Sequence, residues 1–405
     1  MSKRKREEGE MEPREFTNNF DAFSEEISKS WQQISEGFAG KLKAGISSLL
    51  PRMVEGLRQA DDHDDSVYTG KTGIALLYLQ LHTAFQQGDD LATSYQHLKA
   101  PLQRLRGRRH TFLCGDAGPL AVGAVVLSKL GRASESQACV DKLHDLHRAA
   151  LDPGLPDELL YGRAGYLYAL LYLKSRLPGV TIDDAVVERV YRCMIESGGT
   201  LSKREKSKSP LMYAWHEKNY VGAAHGMCGI LCLLMQVTAP WAQQFLHSHI
   251  KPSVDYVTQL AFPSGNFPSS LGNSSDRLVH WCHGAPGAIH MLLQAHKVFG
   301  DSKYLEAARR CGVVIWERGL LRKGYGLCHG TAGNAYALLT LYQSTKDSKY
   351  LYQACKFAEW CLDYGKHGCR TPDRPFSLFE GMAGTIYFLA DLLNPETAQF
   401  PALYI

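Results

Sequence analysis

Cys282-His283-Gly284-Ala285-Pro286-Gly287 and Cys328-His329-Gly330-Thr331-Ala332-Gly333 are two versions of one element, 46 residues apart. Each sets a Cys-His pair directly before a Gly-x-x-Gly that opens an apolar helical pattern. Working outward, the Gly-x-x-Gly recurs from Gly70, Gly115, Gly162 and Gly226 upstream and from Gly381 downstream. The seven first glycines are spaced 45, 47, 64, 58, 46 and 51 residues apart, and self-similarity at such a period marks a repeat architecture. Residues following each copy are apolar nearly all round, as in Ile74, Leu76, Leu77 and Leu79, which suits a helix buried on every side. Between them lie amphipathic patterns such as Tyr304, Leu305, Val314, Ile315 and Trp316. The spacing therefore predicts an all-α protein, an (α/α) toroid of seven inner and seven outer helices. An open solenoid of helix pairs satisfies the same pattern. Glycine at each inner helix start lets backbone loops crowd together at one end, where helix N-termini make a weakly positive mouth.

Composition sets the bounds. The chain has 405 residues, is 45% hydrophobic and 21% charged, and carries a net charge of +4. That balance is ordinary for a globular protein and gives no reason to expect nucleic acid as a partner. Residues 1–15 read as a basic and acidic tail, Lys3-Arg4-Lys5-Arg6 followed by Glu7, Glu8, Glu10 and Glu12, and residues 16–405 as one toroid domain. The tetrad is a solvated tail first, and otherwise a nuclear address or a weak contact with anionic lipid. A charged N-terminus without an apolar core, and Ser at position 2, predict neither a signal peptide nor myristoylation. Eleven scattered cysteines read as reduced thiols, so the expected location is cytoplasmic, with nuclear and peripheral plasma-membrane pools.

Two inserts lengthen the period. Ser202-Lys203-Arg204-Glu205-Lys206-Ser207-Lys208-Ser209-Pro210 reads as a charged loop, and residues 262–273, rich in turn formers, as a wall of the site. The run Asp61-Asp62-His63-Asp64-Asp65 looks like a metal cluster, but its carboxylates are adjacent rather than convergent, so it reads as a loop entering a helix. Gly70-Lys71-Thr72 lacks the glycine a phosphate-binding loop needs five positions earlier, where Asp65 stands.

Cys282, Cys328 and His329 make a three-ligand set suited to zinc with a fourth position open. A closed structural site using both His283 and His329 satisfies the same spacing. His225 holds the position before its glycine that His283 and His329 hold before theirs, so three imidazoles share one repeat phase. That phasing makes His225 an acid–base candidate. Arg322 and Lys323 precede Cys328, and Arg370, Thr371, Pro372 and Asp373 form a segment able to present guanidinium to carboxylates. Glu158, Tyr161, Arg163, Arg277 and His280 flank these motifs as secondary candidates. Pro372-x-x-Pro375 reads as a rigid turn before it reads as a docking motif.

With these residues in view, the chain resembles the LanC-like proteins, eukaryotic relatives of the bacterial lanthionine cyclases. The resemblance runs from about Phe16 through the seven glycine motifs to Phe379-Glu380-Gly381-Met382-Ala383-Gly384, and residues 112–120 and 155–168 look nearest to its type-2 branch. It implies an (α/α) toroid with one zinc ion on Cys282, Cys328 and His329, and glutathione bound with its thiol at the open position. It also implies glutathione contacts at Lys323, Arg370, Thr371, Pro372 and Asp373, and an acid–base role for His225. The aspartate and arginine used by the bacterial enzymes fall nearest to Glu158 and Arg277. The implied reaction is addition of glutathione to dehydroalanine or dehydrobutyrine residues of proteins or peptides, a Michael addition forming a thioether, with Lys323 and His225 as catalytic groups. The rival class is a glutathione-binding sensor or adaptor read by signalling proteins.

Overall fold

The computed structural model describes residues 13–405 except 32, 61, 62, 87 and 108, so the Lys3–Arg6 tetrad and Asp61-Asp62 lie outside the described residues. Each Gly-x-x-Gly starts a helix. Gly70, Gly162, Gly226, Gly284, Gly330 and Gly381 are N-caps, and the second copy differs by one residue, with Asp116 at the cap. The inner helices are Lys71–Phe85, Ala117–Lys129, Arg163–Arg176, Met227–Leu234, Ala285–Phe299, Thr331–Thr345 and Met382–Asp391. Around them stand Glu36–Arg58, Asp90–Gln103, Ala133–Asp145, Asp184–Glu205, Lys251–Thr258, Ser302–Arg318 and Ser348–Leu362. The first seven are nearly all apolar and buried, whereas outer helices such as Ser302–Arg318 bury one face only.

Each inner helix packs on the next, and the seventh returns to the first, so the ring closes. Closure is also visible in the loops at the helix N-termini. Backbone N–H groups of Tyr68, Phe112 and Leu159 donate to the carbonyls of Leu113, Gly165 and Ala224, at 3.0, 3.1 and 3.3 Å. Cys282 donates to Cys328 (3.2 Å), Cys328 to Phe379 (2.8 Å) and Phe379 to Tyr68 (3.0 Å). An open solenoid leaves its terminal repeats unpaired; here the last loop bonds the first.

The glycine motif follows from that crowding. In all seven copies a Cβ on the second glycine would lie 1.8 to 2.3 Å from the carbonyl oxygen six residues earlier, where the chain folds back under the helix's first turn. Gly284 adds a backbone requirement, with φ +119° and Leu278 O 2.1 Å from where a Cβ would stand. Gly284→Ala is expected to lower unfolding free energy by at least ~2 kcal/mol in a denaturant titration, because it combines a forbidden φ with a backbone clash.

Residues 262–273 form a strap over the fifth inner helix. The Asn266 amide donates to Asp276 (2.8 Å) and to Leu278 O (3.0 Å), while its oxygen accepts from Ala285 N–H (2.7 Å). Val221 N–H donates to Ser269 O at 3.0 Å, which ties the strap to the neighbouring loop. The charged insert is a loop only in its second half, since Ser202 to Glu205 close the helix Asp184–Glu205 and Lys206 caps it with φ 52°. Lys203 and Arg204 in its last turn complement the helix dipole, a local gain that alternation with serine conceals.

The C-terminal residues floor the ring. Phe400 stacks on Trp281 at 4.9 Å and meets Phe379, Tyr336 and His290 at 6.1, 5.5 and 5.6 Å. Gln236 holds the last turn through Leu403 O (2.8 Å) and Ile405 N (3.0 Å). Trp281 precedes Cys282, and the Phe379 carbonyl holds Cys328, so one aromatic ring supports both cysteine loops. Phe400→Ala is expected to cost about 3–5 kcal/mol of stability, read by the same titration. Among the described residues no helix is long and apolar enough to cross a membrane.

Candidate metal and acid–base site

Cys282 and Cys328 sit in the loops just ahead of the fifth and sixth inner helices, and His329 follows Cys328 directly. Their ligand atoms all lie within 4.8 Å of one another, the one such group among the described residues. Zinc–sulfur bonds of ~2.3 Å and zinc–nitrogen bonds of ~2.0 Å at tetrahedral angles set donors roughly 3.5–3.8 Å apart, so the triangle fits one ion after closing by up to about 1 Å. Cys328 is 2% exposed and Cys282 9%, and burial followed by the adjacent Cys282 pushes the Cys328 thiol well above the usual range. Two buried sulfurs beside one imidazole are a donor set suited to a soft or borderline cation.

His283 lies outside this group. Its ring faces Tyr220 at 5.7 Å, and its Nδ1 is buried with no hydrogen-bond partner. The closed four-ligand arrangement therefore does not form, and three protein donors remain. His280, a secondary candidate, is 4% exposed with its ring 6.2 Å from that of His329. Burial pushes it down to about 3, helped by His329, Lys323 and Arg14, which places two cations beside the mouth.

One residue at the centre was invisible in the motifs. Tyr68 stacks at 4.8 Å on Phe379, whose carbonyl holds the Cys328 N–H. Burial, then Cys328 and Cys282, push the Tyr68 phenol well above the usual tyrosine range. Tyr68 precedes the first glycine motif and belongs to no Cys-His element, so only ring closure brings it here.

His225, from the loop before the fourth inner helix, bonds Glu158 from the loop before the third, Nδ1 to Oε2 at 2.6 Å. Glu158 is 2% exposed and accepts backbone N–H bonds from Leu160 (3.0 Å) and Tyr161, which fix the carboxylate. His225 stays 21% exposed at the mouth, flanked by Tyr161 and Trp215 at 6.4 and 5.9 Å. The Tyr220 ring bridges His225 (5.8 Å) and His283 (5.7 Å), so the His225–Glu158 pair and the Cys282 loop share one mouth.

Arg163 points away from the site. It pairs with Asp157 at 2.8 Å, both almost fully buried, and donates to the carbonyls of Ala150, Leu155 and Asp152. That makes it a pillar of the third repeat. Arg277 is half-buried on the loop leading to Cys282. Lys323 is exposed on the loop before Cys328. Beside it, Arg370 N–H donates to Arg322 O (2.7 Å), and Arg370 pairs with Asp373 across 3.3 Å. Lys323 and the exposed Arg370, Thr371 and Asp373, with half-buried Pro372, are thus brought together. The segment before the first helix joins them, since Arg322 N–H donates to Arg14 O at 3.0 Å. Sequence spacing had no means of pairing positions 14 and 322.

Comparison with known proteins agrees with this layout. The profile of the lanthionine synthetase C-like protein family matches residues 61–405. A Danio rerio protein named glutathione S-transferase LANCL1 is 52% identical over 376 residues, 92% of this chain and 93% of its own. The solved structure of nisin cyclase superposes with a TM-score of 0.62 at 14% identity, covering 88% of this chain and 94% of that one, a likeness of fold. On the profile match and the 52% identity, this chain belongs to the lanthionine synthetase C-like family.

Proposed function

We propose that the protein catalyses zinc-dependent addition of the glutathione thiolate to dehydroalanine or dehydrobutyrine residues in proteins or peptides. The observation that carries this reading is the His225–Glu158 pair, its carboxylate buried and its imidazole at the same mouth as the Cys282, Cys328 and His329 donors. Ligand capture alone has no use for a carboxylate-oriented imidazole, which favours the catalyst over the sensor. The name of the Danio rerio relative supports glutathione as the co-substrate.

Cys282, Cys328 and His329 would hold the zinc, which when bound lowers the pKa of a thiol at its open position and presents it as thiolate. Every other task falls to side chains. Tyr68 closes the pocket beside Cys328, its phenol kept protonated by burial and by the neighbouring cysteines. Lys323 and Arg370 face the carboxylates of glutathione, and Lys323 also counters charge developing on the acceptor. Addition forms the bond from sulfur to the acceptor β-carbon and moves the π electron pair onto the acceptor carbonyl as an enolate. His225 then delivers a proton to the α-carbon, and Glu158 holds its Nδ1–H so that the other ring nitrogen faces the mouth.

Lys323→Ala is expected to raise the KM for glutathione about tenfold, the effect of one charge-assisted contact. Initial rates with a dehydroalanine peptide at varied glutathione concentration measure it. An unchanged KM would remove Lys323 from the glutathione site.

The same reading takes residues 16–405 as one domain behind a tail of residues 1–15, although Arg14 and Glu15 already pair with Arg322 and Leu321 and so belong with the domain, and it puts the chain on the type-2 branch through residues 112–120 and 155–168. It locates the protein in the cytoplasm, with nuclear and peripheral membrane pools drawn by Lys3-Arg4-Lys5-Arg6. Cell fractionation with those four residues changed to alanine tests the tetrad, and identical distributions would dismiss it.

A further inference from the structure

A cleft of about 470 Å³ is lined by Tyr68, whose ring stacks on Phe379 by the Cys328 loop, and by Tyr161, whose ring lies parallel to His225. That volume is within the range of ligand pockets, ~300–1,000 Å³, and the addition chemistry described above leaves it unused. Four arginines, Arg104, Arg106, Arg109 and Arg374, line it against three carboxylates, a modest positive excess. The carboxylates are held in place by neighbouring groups. Asp64 accepts from Ser66 N–H (2.9 Å) and the Thr69 hydroxyl (2.5 Å). Asp65 pairs with Arg104 at 2.7 Å, and Asp116 accepts from the backbone N–H groups of Arg106 (2.9 Å) and Gly107 (2.6 Å). Arg106 and Arg109 are exposed, and among the described residues neither guanidinium makes an ion pair. Arg109 lies over the Tyr161 ring at 5.1 Å, which holds one of these cations at the Tyr161 wall of the cleft.

An acceptor polypeptide whose reacting residue sits between sulfur and imidazole must continue away from both. The cleft's lining includes a neighbour of each, Tyr68 stacked on Phe379 by the Cys328 loop and Tyr161 facing His225. The cations assigned to glutathione, Lys323 and Arg370, do not line the cleft. Two unpaired guanidinium forks in a groove recognise carboxylates, and bidentate pairing gives them direction. We propose that this cleft binds the acceptor polypeptide through Asp or Glu side chains flanking the dehydroamino acid, so that acidic segments are the preferred acceptors. The inference rests on the glutathione-addition reading given above and names its acceptor class.

The test uses two peptides that differ only in flanks, acidic in one and Asn/Gln in the other. Each is made with a reactive dehydroalanine and with an inert alanine. Zinc-loaded full-length protein is compared with the Arg106→Gln/Arg109→Gln variant, with circular dichroism and zinc content confirming that these exposed changes leave the fold intact. The expected kcat/KM favours the acidic peptide about tenfold at low salt, shrinks as salt rises, and falls toward parity in the variant. Fluorescence anisotropy of the inert peptides should show the same preference. Equal use of both peptides by the unaltered protein, or a preference that survives in the variant, overturns the proposal. So does a variant whose defect is a raised KM for glutathione, which assigns the cleft to that ligand. If neither peptide reacts but the inert acidic one binds through Arg106 and Arg109, the cleft assignment stands and the addition chemistry falls.

Discussion

Cys328→Ala protein is expected to purify without zinc and to form no thioether above the uncatalysed rate. Cys328 supplies one of three donors within 4.8 Å, and its loop is held from both sides, donating to Phe379 O and accepting from Cys282 N–H. Two donors remaining from three leave a site too weak to retain the ion through purification. A glutathione thiol that no longer meets the metal stays protonated at neutral pH, and the lost activation is worth several kcal/mol, on the order of 10³-fold or more in rate. Elemental analysis and product mass spectrometry read the two effects separately. Full zinc content with full activity would remove Cys328 from the chemistry.

His225→Ala separates proton transfer from ligand capture. Loss of a positioned acid–base group costs ~10²–10⁴-fold in kcat, while the three metal donors are untouched, so zinc content and glutathione binding should persist. Glu158→Gln is expected to fall between this variant and the unaltered protein. It preserves size in a site only 2% exposed but removes the charge that accepts from His225. A His225→Ala protein that binds glutathione and still turns over at the original rate would make the site a holder of ligand and favour the sensor.

Much of this arrangement is legible in the sequence. The Gly-x-x-Gly period announces the toroid because its cause is local: a carbonyl six residues back leaves no room for a Cβ. Cys282, Cys328 and His329 are legible for the same reason, since equal repeat phase sends them to the same end. His225 follows the same logic. Its partner Glu158 is visible as a flanking residue and, through the resemblance, as the position nearest the bacterial aspartate, but its pairing with His225 is not, because 67 residues and a change of repeat separate the two. Tyr68 carries no motif and reaches Cys328 only when the last loop bonds the first. Arg14 reaches the Lys323 loop by a backbone pairing that no periodicity encodes. The insert at residues 202–210 misled in the other direction, since its helical half is amphiphilically silent and is capped by a lysine at positive φ. Sequence reading succeeded where a contact repeats with the period and failed where it crosses the ring.

The most direct test of the account is mass spectrometry of a dehydroalanine peptide incubated with glutathione and zinc-loaded protein, beside the His225→Ala variant. The predicted result is a peptide heavier by one glutathione with the unaltered protein and little or none with the variant. No mass gain from a protein that holds zinc and binds glutathione would contradict catalysis.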